Sequence, residues 1–403
     1  MPFTVSLPKR LTDRLQQTLD QRQADGLRRS LSPLPAPGPT VTHQNQTLLN
    51  AASNDYLGHA QHPTLKQAAA DAALTLGTGA TASRLVAGHL TAHDKLEARF
   101  AAFKHAEAAL LFPTGYTANL AVLGTLTQPG DTVFHDKLNH ASLLDASRID
   151  RVTTRTFPHR DYAALDRKLD KAHQQRAPDA ELFIVTDAVF SMDGTTADLP
   201  ALLEIADRYH ATLIVDEAHA TGVLGPTGAG LAEAQHVAGQ IPITISTASK
   251  ALGSLGGLVT SSQLVIDTLI NTARPFIYST GVPPTQIAAI GAALDVLQTE
   301  PHHPQRLAEI THRVLDAIPQ DLLPFSAKPK HPTPIIPLIT GTPESALALA
   351  ARLRDLSVFA PAIRPPTVAP STARVRLSLR ADWTDTQVDQ LLSALHQALP
   401  VTA

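Results

Sequence analysis

Between residues 50 and 285, short apolar and β-branched runs alternate with Ala- and Leu-rich stretches of helical period. No other feature narrows the fold as much. Thr132-Val133-Phe134, 182–186, 212–215 and 243–246 are too short to be helices. They are apolar without alternation, as strands buried on both faces must be. The stretches between them, including 162–173 and 199–210, are long enough for helices. Strands alternating with helices predict βαβ units, and so an α/β protein with a mostly parallel sheet covered on both sides.

The texture changes beyond Pro284. Helices are expected over 286–299 and 307–318, then a strand at 334–340, a helix at 345–356, a strand at 373–379 and a last helix at 385–399. Near the start, Leu11, Leu15 and Leu19 fall four apart on one face of a helix. Arg28-Arg29 and a proline patch at 32–39 end it, and further patches at 324–337 and 361–370 mark joints. The expected division is an N-terminal arm over 1–49, a large domain over 50–285 and a smaller α+β domain over 286–403.

Charge and composition remove whole classes of chemistry. With 33 basic and 36 acidic side chains the net charge is −3, unsuited to a nucleic-acid binder that needs clustered cations. The chain has no cysteine, so thiolate metal sites, iron–sulfur clusters and cysteine nucleophiles are out. The first twenty residues are polar and no long apolar run occurs. A cytoplasmic protein without a membrane span is therefore expected.

The chemistry concentrates between residues 185 and 260. The 212–215 strand runs into Asp216-Glu217-Ala218-His219, and ligands of parallel sheets bind at the carboxyl ends of strands. After the 243–246 strand comes Thr247-Ala248-Ser249-Lys250. A lone lysine among small residues can lose its charge and act as a Schiff-base nucleophile. A lysine on one strand end and a carboxylate on another suit pyridoxal phosphate, whose aldehyde needs an amine and whose pyridine nitrogen needs an acid beside it. Pro113-Thr114-Gly115-Tyr116-Thr117-Ala118-Asn119 offers glycine, hydroxyls and a helix N-terminus for the phosphate, with Tyr116 placed to cover one face of the ring. Singly, each residue has a plainer reading: Asp216 and Lys250 as an ion pair, Tyr116 as packing, His219 as a turn histidine. Together, in this order, they point to the cofactor.

Two look-alikes fail. Asp216–His219 spells the acidic box of helicases, but the phosphate loop that box requires is missing, and the chain holds no Gly-Lys pair. Gly77-Thr78-Gly79-Ala80-Thr81-Ala82 has the spacing of a dinucleotide fingerprint yet follows a helical stretch instead of a strand.

Ser53-Asn54-Asp55-Tyr56-Leu57-Gly58, Ser83-Arg84-Leu85, Asn139-His140-Ala141-Ser142, Phe190-Ser191-Met192-Asp193-Gly194, Asp216-Glu217-Ala218-His219, Thr247-Ala248-Ser249-Lys250, Ile277-Tyr278-Ser279-Thr280 and Ile363-Arg364-Pro365-Pro366-Thr367-Val368 occur in that order. In these strings the chain resembles the α-oxoamine synthases from about residue 10 to 400. These are fold-type I pyridoxal-phosphate enzymes, built like aspartate aminotransferase. They condense an amino acid with an acyl thioester and release carbon dioxide. The Asn-Asp-Tyr-Leu-Gly and Arg-Pro-Pro-Thr-Val strings are similar to the biotin-pathway branch, which joins L-alanine to a pimeloyl thioester carried by CoA or by a carrier protein. The alternative is glycine or serine with a different acyl-CoA.

The resemblance implies roles. Lys250 would hold the cofactor aldehyde and move protons, Asp216 would meet the pyridine nitrogen, His219 the phenolic oxygen, and His140 would stack on the ring. Gly115, Tyr116 and Thr247 would surround the phosphate and ring edge, with Ser191 nearby. Ser279 and Thr280 would reach the phosphate from the second subunit of a homodimer. Arg376 and Asn54 would bind the amino-acid carboxylate, and Arg28 and Thr367 the acyl donor. No metal is implied. Two places depart from the family's pattern: Asp187-Ala188 stands where Glu-Gly is expected, and Gly88-His89 where Gly-Asn or Gly-Thr is commoner.

Overall fold

The computed structural model describes residues 5–31, 33–36, 38–148, 152–324 and 329–399. Parts of the first two proline patches, at 32, 37 and 325–328, lie outside the described residues. The N-terminal helix, α1, spans Lys9–Ala24, ending before the expected stop at Arg28-Arg29, and buries none of its residues. Leu15 and Leu19 stay on its exposed surface.

The central sheet has seven strands, numbered here β1 (Ala108–Phe112), β2 (Thr132–Asp136), β3 (Thr153–Phe157), β4 (Leu182–Asp187), β5 (Thr212–Asp216), β6 (Ile243–Thr247) and β7 (Gly257–Ser261). Their order across the sheet is β1-β7-β6-β5-β4-β2-β3. Strands β2 to β6 pair in parallel, whereas β7 runs antiparallel to both its neighbours, β6 and β1. The four strands expected from the sequence are all present. The three unforeseen ones have clear reasons: Ala108-Ala109-Leu110-Leu111 carries helix formers, 153–157 is a mostly exposed edge, and β7 begins on glycine.

Alternate residues of each strand feed two cores. Leu110, Phe112, Val133, Val185, Ile214, Ile245 and Val259 pack on one face with Val122 and Phe276. Leu111, Phe134, Ile184, Val215 and Leu258 pack on the other, in a cluster that continues to Leu338, Leu377 and Leu391 of the C-terminal segment. Period-two alternation therefore operates although both faces are apolar, because each face has its own layer of helices. In the chain, α2 (Pro63–Leu76) precedes β1 and α3 (Gly115–Leu126) follows it. Helices α4 (Pro284–Thr299) and α5 (His302–Asp316) follow β7, and α4 packs along α2.

A second, antiparallel sheet of β8 (Ile335–Gly341), β9 (Ala362–Ile363) and β10 (Ala373–Ser378), in the order β8-β10-β9, lies in the C-terminal segment, flanked by helices Pro343–Asp355 and Asp385–Ala398. These elements match the expected ones to within about two residues at most ends, as helix fraying allows, but the 307–318 helix starts earlier, at His302. No helix among the described residues is long and apolar enough to cross a membrane.

Candidate active site

The ends of the parallel strands bring four acidic or basic groups into one cleft. Strands β4 and β5 pair Asp187 with Asp216, so two carboxylates stand side by side at the sheet's carboxyl edge. Both are buried. The turn after β5 is anchored from behind: Glu217 is fully buried, ion-paired with Lys104, and accepts the Ala232 N–H at 2.9 Å. Breaking such a buried pair costs about 3–5 kcal/mol. That anchor fixes Asp216 and His219 on either side of it.

Asp216 accepts hydrogen bonds from Asn119 Nδ2 at 2.8 Å and from the Ala218 N–H at 2.9 Å. Asn119 lies on α3 and also donates to Ser142 at 2.7 Å. The aspartate is thus held from outside the cleft, as a group must be whose position matters. Asp187 accepts the His140 N–H at 2.7 Å. Burial, and then the neighbouring Asp216 charge, push the Asp187 carboxyl well above the usual carboxylate range. The shorter acid at this departure from the family pattern therefore holds its proton more tightly than an ordinary carboxyl does.

Among the described residues the Lys250 amine has no hydrogen-bond partner. Burial lowers it from the usual lysine range to about 8, opposed by Asp216 and Asp187 and assisted by Arg376. At pH 7 roughly one amine in ten is then neutral, against about one in three thousand for an ordinary lysine. Since the neutral amine is the nucleophile, trapping of an added aldehyde on Lys250 by borohydride should accelerate as pH rises and level off above about 8. Arg376→Met should move that midpoint upward, because a repelling charge is gone. A midpoint near 10 in the parent protein would contradict this.

His219 is buried, with Nδ1 2.7 Å from the Tyr56 hydroxyl. Burial, with Lys250 and Arg376 nearby, pulls its pKa well below the usual range, so the ring is neutral. Tyr56 itself accepts from Arg376 Nη2 at 3.2 Å. Its hydroxyl also lies 3.2 Å from Asn54 Oδ1; directing its proton along the shorter 2.7 Å contact to His219 would leave the imidazole proton on Nε2. His140 is also held down by burial, and its Nδ1 lies 2.7 Å from Ser142 Oγ.

Three buried arginines project from β10 and the segment after it, and their partners separate them. Arg374 meets Asp193 at 2.7 Å, and Arg380 meets Asp382 at 2.7 Å and Asp55 at 3.3 Å. Arg376 instead has both terminal nitrogens 3.1 Å from the neutral amide oxygen of Asn54, and its Nε is unpartnered. Among the described residues no carboxylate neutralises it. A buried guanidinium without an acid is a ready receptor for a carboxylate from solution.

Pyridoxal phosphate fits these residues. Thr114 caps α3 by accepting the Thr117 N–H at 3.0 Å, which leaves the first turn's remaining N–H groups free for an anion. A Cβ on Gly257 would lie 2.3 Å from the Thr114 carbonyl, so only glycine lets β7 press against that turn. Gly115 faces Thr247: a Cβ there would touch the threonine side chain at 3.4 Å. A free amine, a held carboxylate, a neutral imidazole and an anion cradle suit an aldehyde, a pyridine nitrogen, a phenolic oxygen and a phosphate.

Several sequence candidates lie at the margin. Tyr116 is 46% exposed and donates to Asp145 at 2.9 Å. Ser191 is half-buried in the turn after Phe190. Thr280 bridges to Ser83, while Ser279 donates its N–H to the Phe276 carbonyl. Arg28 is exposed, and it is Arg29 that reaches Thr367, at 3.1 Å. His89, the other departure, accepts from Arg84 at 2.9–3.1 Å and contacts Asp94 at 2.9 Å. Tyr56 and Asn119 had no assigned role although both sit inside noted motifs; their side-chain destinations, 163 and 97 residues away, are invisible in sequence.

Comparison with known proteins identifies the family and the fold. The model of the aminotransferase class I and II family matches residues 46–395. The 8-amino-7-oxononanoate synthase of Anaeromyxobacter dehalogenans (strain 2CP-1) is 46% identical over 95% of this chain and 94% of its own. The 8-amino-7-oxononanoate synthase 2 of Bacillus subtilis is 39% identical over 95% of this chain and 96% of its own. Among solved structures, the serine palmitoyltransferase of Sphingomonas wittichii superposes with a TM-score of 0.87 at 25% identity, covering 98% of both chains. The 8-amino-7-oxononanoate synthase of Francisella tularensis superposes with a TM-score of 0.72 at 27% identity, over 87% of this chain and 97% of that one. The chain therefore belongs to the 8-amino-7-oxononanoate synthase family, within the class I and II aminotransferase fold.

Proposed function

We propose that this protein condenses L-alanine with a pimeloyl thioester, on CoA or a carrier protein, to form 8-amino-7-oxononanoate for biotin biosynthesis in the cytoplasm. A carbon–carbon bond forms between the alanine α-carbon and the acyl carbon, and the thiol leaves. The carboxylate departs as carbon dioxide, and a proton returns to the α-carbon. The observation that carries this reading is Lys250, Asp216, His219 and the unpaired Arg376 meeting in one cleft of a chain 46% identical to such a synthase.

Bound pyridoxal phosphate supplies an aldehyde and an electron-withdrawing protonated ring; solved neighbours include one described as SPT with PLP. Lys250 takes and returns the α-proton, a task for which an amine near pH 8 is well matched. Asp216 would keep the proton on the pyridine nitrogen, and His219 would hydrogen-bond the phenolic oxygen. His140 would cover the ring, the α3 N-terminus with Gly115 and Thr247 would hold the phosphate, and Arg376 with Asn54 would orient the substrate carboxylate. Tyr116 and Ser191 border the cofactor, and Arg28, Arg29 and Thr367 face the acyl donor.

A homodimer completes the site in this reading, with Ser279 and Thr280 delivered from the second subunit. Exposed Leu85, Val86 and Tyr278 flank the Ser83–Thr280 bridge, and such apolar exposure is usual where a partner covers it.

The test is a matrix of amino acids and acyl thioesters scored by thiol release and product mass. L-alanine with pimeloyl thioester should be the best pair; preference for glycine or serine with another acyl group would move the chain to a sister activity of the same chemistry. In Arg376→Ala the KM for the amino acid should rise about 10- to 100-fold, the value of a lost charge-assisted pair, with a much smaller change in KM for the thioester. Equal effects on both would remove Arg376 from the carboxylate site.

A further inference from the structure

Outside the cleft, a second group of polar side chains converges where the start of α2 meets the junction of α4 and α5. His62 is the N-cap residue of α2, Glu300 the C-cap residue of α4, and His303 lies in the first turn of α5. His62 Nε2 is 3.4 Å from one Glu300 oxygen, and His303 Nε2 is 3.6 Å from the other. All three ligand atoms fall within 4.8 Å of one another. The contacts are longer than well-formed N–H···O hydrogen bonds. They are close to the edge of a tetrahedron about a zinc ion, about 3.3 Å for metal–ligand bonds near 2.0–2.1 Å.

A fully buried histidine stands behind the cluster. His59 Nε2 lies 3.3 Å from His303 Nδ1, and His59 Nδ1 has no partner. A proton on His303 Nδ1, donated to His59, leaves the His303 Nε2 lone pair facing Glu300 and His62. Histidines that bind metals are oriented in this way by a group on their other nitrogen. The supports are stiff: Pro63 and Pro301 flank the ligands in sequence, and α2 packs along α4.

We propose that His62, Glu300 and His303 form a site for a zinc-class divalent transition cation, with His59 orienting His303 from behind. Two imidazoles and one carboxylate select zinc, cobalt or nickel over magnesium or calcium, which prefer oxygen alone. Water takes the fourth position, with His302 Nε2 3.9 Å from Glu300 as the nearest exposed alternative. Binding requires His62 to carry its proton on Nδ1, which gives up the long 3.3 Å contact from the Thr64 N–H. The bound ion ties the segment that carries Asn54 and Tyr56 to the α4–α5 junction, so its effect is expected on stability more than on turnover.

The holoenzyme, stripped by a chelator and dialysed against Co²⁺ or Zn²⁺, should retain one tight equivalent per chain. Co²⁺ should show the intense visible absorption of a tetrahedral site, and Zn²⁺ should raise the melting temperature. His303→Ala and Glu300→Gln should each lose that equivalent and the thermal shift, and His59→Phe should weaken binding about 10- to 100-fold. Glu300→Gln changes one atom on a partly exposed helix end, so it keeps the test decisive if a histidine variant folds poorly. The proposal is overturned if the parent retains no metal, or if the Glu300 and His303 variants bind as the parent does, which would place the ion on other histidines or on the cofactor.

Discussion

Lys250→Ala is expected to give a folded, colourless protein whose turnover is down by about 10³-fold or more, the scale of losing a combined nucleophile and proton carrier. The expectation rests on the state of this amine. It sits in the cleft without a hydrogen-bond partner, and burial brings it to about 8, so it is available as a base near neutral pH. Among the described residues no second lysine is placed to replace it: Lys104 is spent on Glu217 and the Ala229 carbonyl, on the other side of the turn. Removing an unpaired amine also relieves desolvation, so the melting temperature should hold or rise. Visible absorbance after incubation with pyridoxal phosphate, steady-state turnover and thermal melting decide the matter together. Turnover within tenfold of the parent would remove Lys250 from the chemistry.

The second large effect is expected from Asp216→Asn: pyridoxal phosphate retained, with kcat reduced about 10²- to 10³-fold, the range seen when one preorganised electrostatic group is lost. The carboxylate here is positioned by Asn119 and by the Ala218 N–H, both of which donate to it. An asparagine can satisfy only one of them with its oxygen, and its own NH₂ then faces either a donor or the cofactor nitrogen. In neither arrangement is the pyridine proton stabilised by a negative charge. Asp187→Asn is the internal comparison. Burial and the Asp216 charge push its carboxyl toward the protonated form, and an amide oxygen can still accept the His140 N–H. A tenfold effect or less at Asp187 alongside the large one at Asp216 is the expected pattern. Comparable losses at both would mean that the two acids share one charge.

Recognition of the site from sequence depended on how each residue is held. Asp216, His219 and Lys250 follow strands whose β-branched, apolar runs are unmistakable, so chain order alone puts them at the sheet's carboxyl edge. Gly115 follows the less obvious Ala108–Phe112, but its Thr114 cap and the helix after it mark an anion site anyway. Arg374 and Arg376 defeat this reasoning. Two residues apart on one strand, they share a face, and nothing local distinguishes them. Asp193 and Asn54, from segments 181 and 322 residues distant, make one arginine an ion pair and leave the other open. Arg29 and Thr367 are 338 residues apart, which is why the neighbouring Arg28 was as good a candidate in sequence.

By itself, then, the sequence determined the parallel α/β sheet, the order of chemistry-bearing motifs along it and the identity of the family, because apolar period and motif spacing are local properties of a chain. The antiparallel β7, the raised Asp187, the buried neutral His219, the acid-free Arg376 and the histidine–glutamate cluster were decided only by tertiary structure. Each depends on desolvation and on partners brought together across long stretches of chain, and neither exists until the chain has packed.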